Sequence, residues 1–273
     1  MLTTVEVRTT AGTLLTLPLE DAANGLIITD IDGLGPVKAT IVSSAFAKRD
    51  GTQFQSARRE ERNITMRIRL EPDYSVDSVQ DLRERVYDFF MTKSQVSLRF
   101  INSNDLEVDI SGRVETCEPA IFSKEPEMNI SILCFDIDFV DITPVEISGE
   151  TTEDLDEITV NYVGNADTGI IFVLNVDRTL DDFTIYHRPP DGVIRTLDFA
   201  ASLLTGDVVT INTISGSRSV TLTRSGVDSS LLYGISPQSN WLALTKGANY
   251  IRVFADGDEI PYEITYTTKY GAL

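Results

Sequence analysis

Ile64, Met66, Ile68 and Leu70 alternate with Thr65, Arg67 and Arg69, and this period of two predicts a strand with one buried face. Val79, Leu82, Val86, Phe89 and Phe90 then recur at steps of three and four, which places them on one stripe of a helix. Ser75 and Ser78 are candidate N-caps, Asp77 and Asp81 suit the positive end of the helix dipole, and Lys93 suits the other end, so the helix is expected over residues 75–93. Alternation resumes with Val96, Leu98 and Phe100. Further strands are expected over residues 2–8, 14–18, 26–31, 37–46, 63–70, 95–102, 106–116 and 127–135. The polar segment 48–62 opens on Asp50-Gly51 and reads as a hairpin or a long loop.

From Asp141 to Glu157 the chain is rich in acids, threonine and proline, holds no lysine or arginine, and loses its apolar period. We therefore expect a first domain over residues 1–143, an acidic linker over 144–157 and a second domain over 158–273. In the second half, apolar clusters recur about every ten residues, centred on Val160, Phe172, Phe183, Leu197, Val209, Val220, Leu231, Leu242, Val253 and Ile264. Turn signals such as Asp191-Gly192, Gly206-Asp207 and Asp256-Gly257 punctuate them. The fold class predicted is mainly β, an α+β first domain with one helix followed by an antiparallel β-sandwich. Pro261, at the head of the alternating run Tyr262, Ile264 and Tyr266, marks an edge or a strand start.

Composition narrows the function classes. A formal charge of −19 over 273 residues makes a surface that repels nucleic-acid phosphates, so specific nucleic-acid binding is disfavoured. No apolar run approaches the length of a membrane span, and no membrane insertion is expected. The start, Met1-Leu2-Thr3-Thr4-Val5-Glu6-Val7, lacks the basic and apolar blocks of a secretory signal and points to synthesis in a cytosol without export. Cys117 and Cys134 read as buried thiols, and with His187 as the sole histidine they do not complete a zinc site. No metal and no cofactor is expected.

Catalytic signals are weak. Any Ser-His-Asp or Cys-His arrangement would centre on His187, which sits before Pro189-Pro190 where a strand end is expected rather than a buried active site, and no glycine-rich phosphate loop is present. The chain is therefore not expected to be an enzyme. Asp30-Ile31-Asp32-Gly33 opens like a calcium loop but lacks its distal glutamate, and Asp256-Gly257-Asp258-Glu259 is better read as a hairpin turn. Trp241 lies in an apolar strand and is expected in the core. The mixed-charge run Arg58, Arg59, Glu60, Glu61 and Arg62 flanks the long polar segment and is the candidate inter-subunit contact.

In this order the motifs resemble the distal tail proteins of phages with long non-contractile tails. The resemblance rests on the polar segment around Asp50-Gly51, the strand from Arg62 to Ile68, Asp81-Leu82-Arg83 in the helix, Val96 to Phe100, and Ile130 to Phe135. In the second half it rests on Asn161 to Ala166, Gly206 to Thr213 and Leu244 to Ile251. What it implies is a virion protein at the distal end of the tail, made in the host bacterial cytoplasm. Its N-terminal belt domain forms a homo-hexameric ring and its C-terminal domain is a galectin-like sandwich. The implied partners are the tail tube protein, a tail tip or tail-associated protein, and receptor-binding proteins.

Sugar-binding galectins carry a histidine-asparagine-arginine set and a tryptophan-glutamate-arginine set, and neither stands around His187 or Trp241. Those two residues are the candidate contacts of the alternative function, a carbohydrate-binding adhesin module. A ring through which DNA passes also suits an acidic inner wall, with Asp30, Asp32, Glu60, Glu61, Asp105 and Glu107 as candidates.

Overall fold

The computed structural model describes residues 1–19, 24–47, 50–120 and 125–273. It divides into two units, Met1–Ile142 with Gly271–Leu273, and Thr143–Tyr270. In the first, the elements run β1 (Leu2–Thr9), β2 (Leu14–Pro18), β3 (Leu26–Asp32), β4 (Ala39–Ala45), β5 (Thr52–Arg59), β6 (Arg62–Leu70), α1 (Val79–Phe90), β7 (Gln95–Asn102), β8 (Glu107–Pro119) and β9 (Glu127–Cys134). β10 (Phe139–Glu150) begins in this unit and continues in the other.

β8 organises the first unit. Its first half pairs with β7, which pairs with β1 and then β2; its second half pairs with β9, which leads through β6 to β3. The partner changes at Arg113, and a register shift follows between Val114 and Thr116. Every pairing is antiparallel, and the expected alternation is realised: Val5 and Val7, Ile64 to Leu70, Val96 to Phe100, and Met128 to Cys134 all point inward. Gly112 stands in one inward slot because a Cβ there would come within 2.6 Å of the Ile132 side chain.

Helix α1 covers this core with Leu82, Val86, Phe89 and Phe90. It is shorter than expected because Ser78, not Ser75, caps it: Ser78 Oγ accepts from the Asp81 amide while the Asp81 carboxylate accepts from the Ser78 amide, a closed capping box. Ser75 instead donates to Asp73 in the preceding turn. Lys93 lies beyond the helix, at positive φ in the turn that Ser94 closes on the Met91 carbonyl.

The second unit continues with β11 (Ile158–Tyr162), β12 (Thr168–Gly169), β13 (Ile171–Asn175), β14 (Leu180–Arg188), β15 (Arg195–Leu203), β16 (Val208–Asn212), β17 (Ser219–Arg224), β18 (Val227–Ser230), β19 (Ala243–Leu244), β20 (Gly247–Phe254) and β21 (Pro261–Tyr270). One sheet has the order β18-β17-β16-β13-β21-β10, the other β11-β20-β14-β15, and β12 pairs with β19. The two sheets enclose one core in which Phe172 meets Phe183 at 6.0 Å and Tyr262 at 5.3 Å, and Phe183 stacks on Phe199 at 4.7 Å. The fold is therefore mainly β, with one α-helix among the described residues. Pro261 begins a strand with neighbours on both sides, so it is a strand start and not an edge.

The start of the segment expected as a linker lies within β10. β10 stays extended through residue 150, where Glu146, Ser148 and Glu150 alternate with Ile147 and Gly149, and a half-solvated strand of this kind shows little apolar period. The final residues Gly271–Leu273 belong to the first unit, not the second. Cys134 is buried and Cys117 half-buried; both thiols are free, and burial pushes each up to about 11, so neither is a reactive thiolate at neutral pH.

Candidate assembly surface

The segment read as a hairpin or loop is a hairpin. Among the described residues, β4 and β5 pair with each other and with no other strand, and every residue of β5 is exposed. Lys48 and Arg49, at the start of that segment, lie outside the described residues. Neighbouring Ile41 and Val42 point to opposite faces of this arm, so apolar side chains meet water on both sides. Ile41 is 66% exposed and Phe54 63%, and Val42 and Phe46 are also exposed. A two-stranded ribbon is marginal in water by itself, and exposed apolar side chains concentrated on one mark a surface awaiting a partner. Residues 36–59 hold five lysines and arginines and one acid, in a chain with 23 of the former and 42 of the latter. The arm is a basic element of an acidic protein.

The root of the arm is anchored. The Glu60 amide donates to the Lys38 carbonyl at 2.9 Å, and the Glu60 carboxylate accepts from Thr40 and lies 3.9 Å from Lys38. Arg59 forms a two-pronged pair with Asp138. Arg58 and Glu61 are exposed. Arg62, expected with these charges, is 1% exposed, buried where Arg58 and Glu61 are not. Its guanidinium donates to the carbonyls of Ile137 at 2.7 Å, Gly35 at 2.7 Å, Gly271 at 2.7 Å and Gly33, and lies 4.4 Å over the Phe139 ring. Burial lowers its pKa and the nearby Asp138 carboxylate opposes that, while an arginine stays charged throughout.

The other candidates stand apart from the arm. His187 is fully buried at the end of β14; its Nε2 donates to Asn249 Oδ1 at 3.1 Å, and its Nδ1 has no hydrogen-bond partner among the described residues. Asn249 is fixed by bonds to Thr245 and Gly247. The ring is enclosed within the second unit. Trp241 packs against the sandwich core, with the Arg218 guanidinium 5.5 Å over its ring. Asp30 and Asp32 are exposed on β3, Asp105 lies at positive φ in the β7–β8 turn, and Glu107 is 3.7 Å from Arg99. At Asp256-Gly257-Asp258, the expected turn, Arg178 donates to two of the carbonyls.

Enclosure also holds the His187 ring neutral. Burial lowers its pKa; Arg195 lowers it further, and Asn249 and Asp191 raise it. The unfolded chain takes up a proton on this residue below about pH 6.5, whereas the folded ring resists until lower pH, so the second unit loses stability as pH falls through that window. We predict that the unfolding midpoint drops less between pH 7.5 and 5.5 in His187→Gln than in the wild type. Equal drops in the two proteins would refute this.

Residues 163–270 match the family of siphovirus-type tail components, C-terminal domain. No curated protein matches the chain. Among solved structures, the Dit protein of phage SPP1, described as a paradigm of hub adsorption apparatus in Gram-positive infecting phages, superposes with a TM-score of 0.68. It shares 14% identity, with 97% of this chain and 98% of that one covered. A chain of the phage P2 baseplate in its activated conformation with Ca matches at a TM-score of 0.47 and 8% identity over the full length of both. Together the findings bear out the resemblance to siphophage distal tail proteins, by sequence over residues 163–270 and by fold over 97% of the chain.

Proposed function

We propose that this protein is a structural hub at the distal end of a siphophage tail, a homo-hexameric ring that joins the tail tube to the tip proteins and the adsorption apparatus. The match of residues 163–270 supports a tail role. The β4–β5 arm carries the self-assembly: it is exposed on both faces, apolar at Ile41, Val42 and Phe54, and basic where the rest of the chain is acidic. Such an arm is complementary to a second copy of this chain, because the same surface that supplies the apolar and positive element also supplies an excess of acids. Ring closure would bury the apolar side chains and remove the open strand edges. In this reading the sandwich of the second unit is the galectin-like outer domain, serving as a platform and not as a lectin. No observation favours the carbohydrate-binding alternative, since His187 is enclosed and Arg218 lies over Trp241. Native mass spectrometry of the purified chain is expected to show a hexamer whose population falls with added salt. A chain that stays monomeric at every concentration and ionic strength would reject the ring.

A further inference from the structure

We infer that Arg62 is the positioning residue of the β4–β5 arm, and that Gly271–Leu273, reached only after the whole second unit, form part of the socket that fixes the arm's root. The inference rests on the assembly reading above, because it names what holds the assembling element in place.

Both ends of the arm pass this guanidinium. The incoming side is the turn Gly33, Leu34 and Gly35, just before β4, and two of its carbonyls accept from Nη1. The outgoing side is Arg62 itself, three residues after β5 ends. The remaining acceptors come from elsewhere: Ile137, next to the Asp138 that binds Arg59, and Gly271. A second bond runs beside this one, from the Leu273 amide to the Leu34 carbonyl at 3.0 Å, between the same tail and the same turn. The tail is thus joined to the arm's entry both directly and through Arg62.

This chemistry suits orientation more than simple packing. A buried guanidinium is costly to desolvate, and the carbonyls that accept from it offset that cost only when all of them are in place. A lysine ammonium, a point charge with three donors on a flexible stem, does not span the same acceptors. Loss of the tail removes the Gly271 acceptor and the Leu273 bond together, and the turn before β4 then loses its tie on one side.

The test is residue-resolved hydrogen exchange on the full chain carrying Ile41→Asp and Phe54→Asp, so that no neighbouring copy shields the arm. Two variants are compared in that background, Arg62→Lys and a chain lacking residues 271–273. We expect the Glu60 amide and the β4–β5 amides to exchange about tenfold faster or more in both, with the amides of β7 and α1 unchanged, the pattern of a local opening. Should Arg62→Lys fail to fold, the shortened chain decides. Unchanged exchange at Glu60 in the shortened chain overturns the inference. An equal acceleration in β7 and α1 also overturns it, since that is the mark of a general loss of stability. The native mass of the parent chain is read separately, so failure of the ring and failure of the clamp are distinguishable.

Discussion

Replacing both Ile41 and Phe54 by aspartate is expected to turn the proposed hexamer into monomers while leaving the melting temperature of the monomer unchanged. Both side chains are mostly exposed within the single chain, so the fold gains little from them. A fully buried side chain of this size stabilises an interface by about 1.5–3 kcal/mol relative to exposure, so the pair removes roughly 3–6 kcal/mol per contact. That corresponds to a dissociation constant weaker by about 10² to 10⁴. The introduced charges add desolvation and repulsion from an acidic neighbour. Light scattering across a concentration series gives the mass, and calorimetry gives the fold. A double variant that still assembles with wild-type affinity would remove the arm from the interface.

The largest effect on stability is expected at Gly33. Its φ is +89°, and a Cβ there would stand 2.1 Å from the Asn63 carbonyl oxygen, a backbone atom that does not swing aside. Gly33→Ala carries the cost of a left-handed residue, about 1–2 kcal/mol, and must also displace the start of β6. We expect a loss of at least about 3 kcal/mol in the first unit, a drop of roughly 10 °C for a domain of this size. Gly35 is the control: it has open space around its Cβ position and no positive φ, and Gly35→Ala should change stability by less than about 0.5 kcal/mol. Similar melting curves for the two variants would show that the backbones do not approach as closely as this.

Much of this architecture is legible in the residues. Strands 14–18 and 95–102 end where the alternation predicts, and α1 starts later than expected because two serines competed for its cap and the one three residues before an acid won, while its far end stops at Phe90, short of Lys93. β5 is ambiguous in sequence for a physical reason. A strand with water on both faces has no apolar period, and Thr52 to Arg59 shows none. The two buried polar residues carry a signal in their spacing. Arg62 stands in phase with Ile64, Met66 and Ile68, and His187 in phase with Phe183 and Ile185, so parity along the strand assigns both to the buried face. What parity does not supply is the satisfaction of the buried group. For Arg62 that comes from carbonyls up to 209 positions away.

That separation also imposes an order of events during synthesis. The strands around Arg62 leave the ribosome long before Gly271 does, and every strand of the second unit is made in between. A nascent first unit therefore holds its guanidinium with one acceptor still to come, and the turn before the arm awaits the Leu273 amide. The arm's socket is completed only on chains in which translation has passed through the sandwich, so prematurely terminated chains lack the groups that finish it.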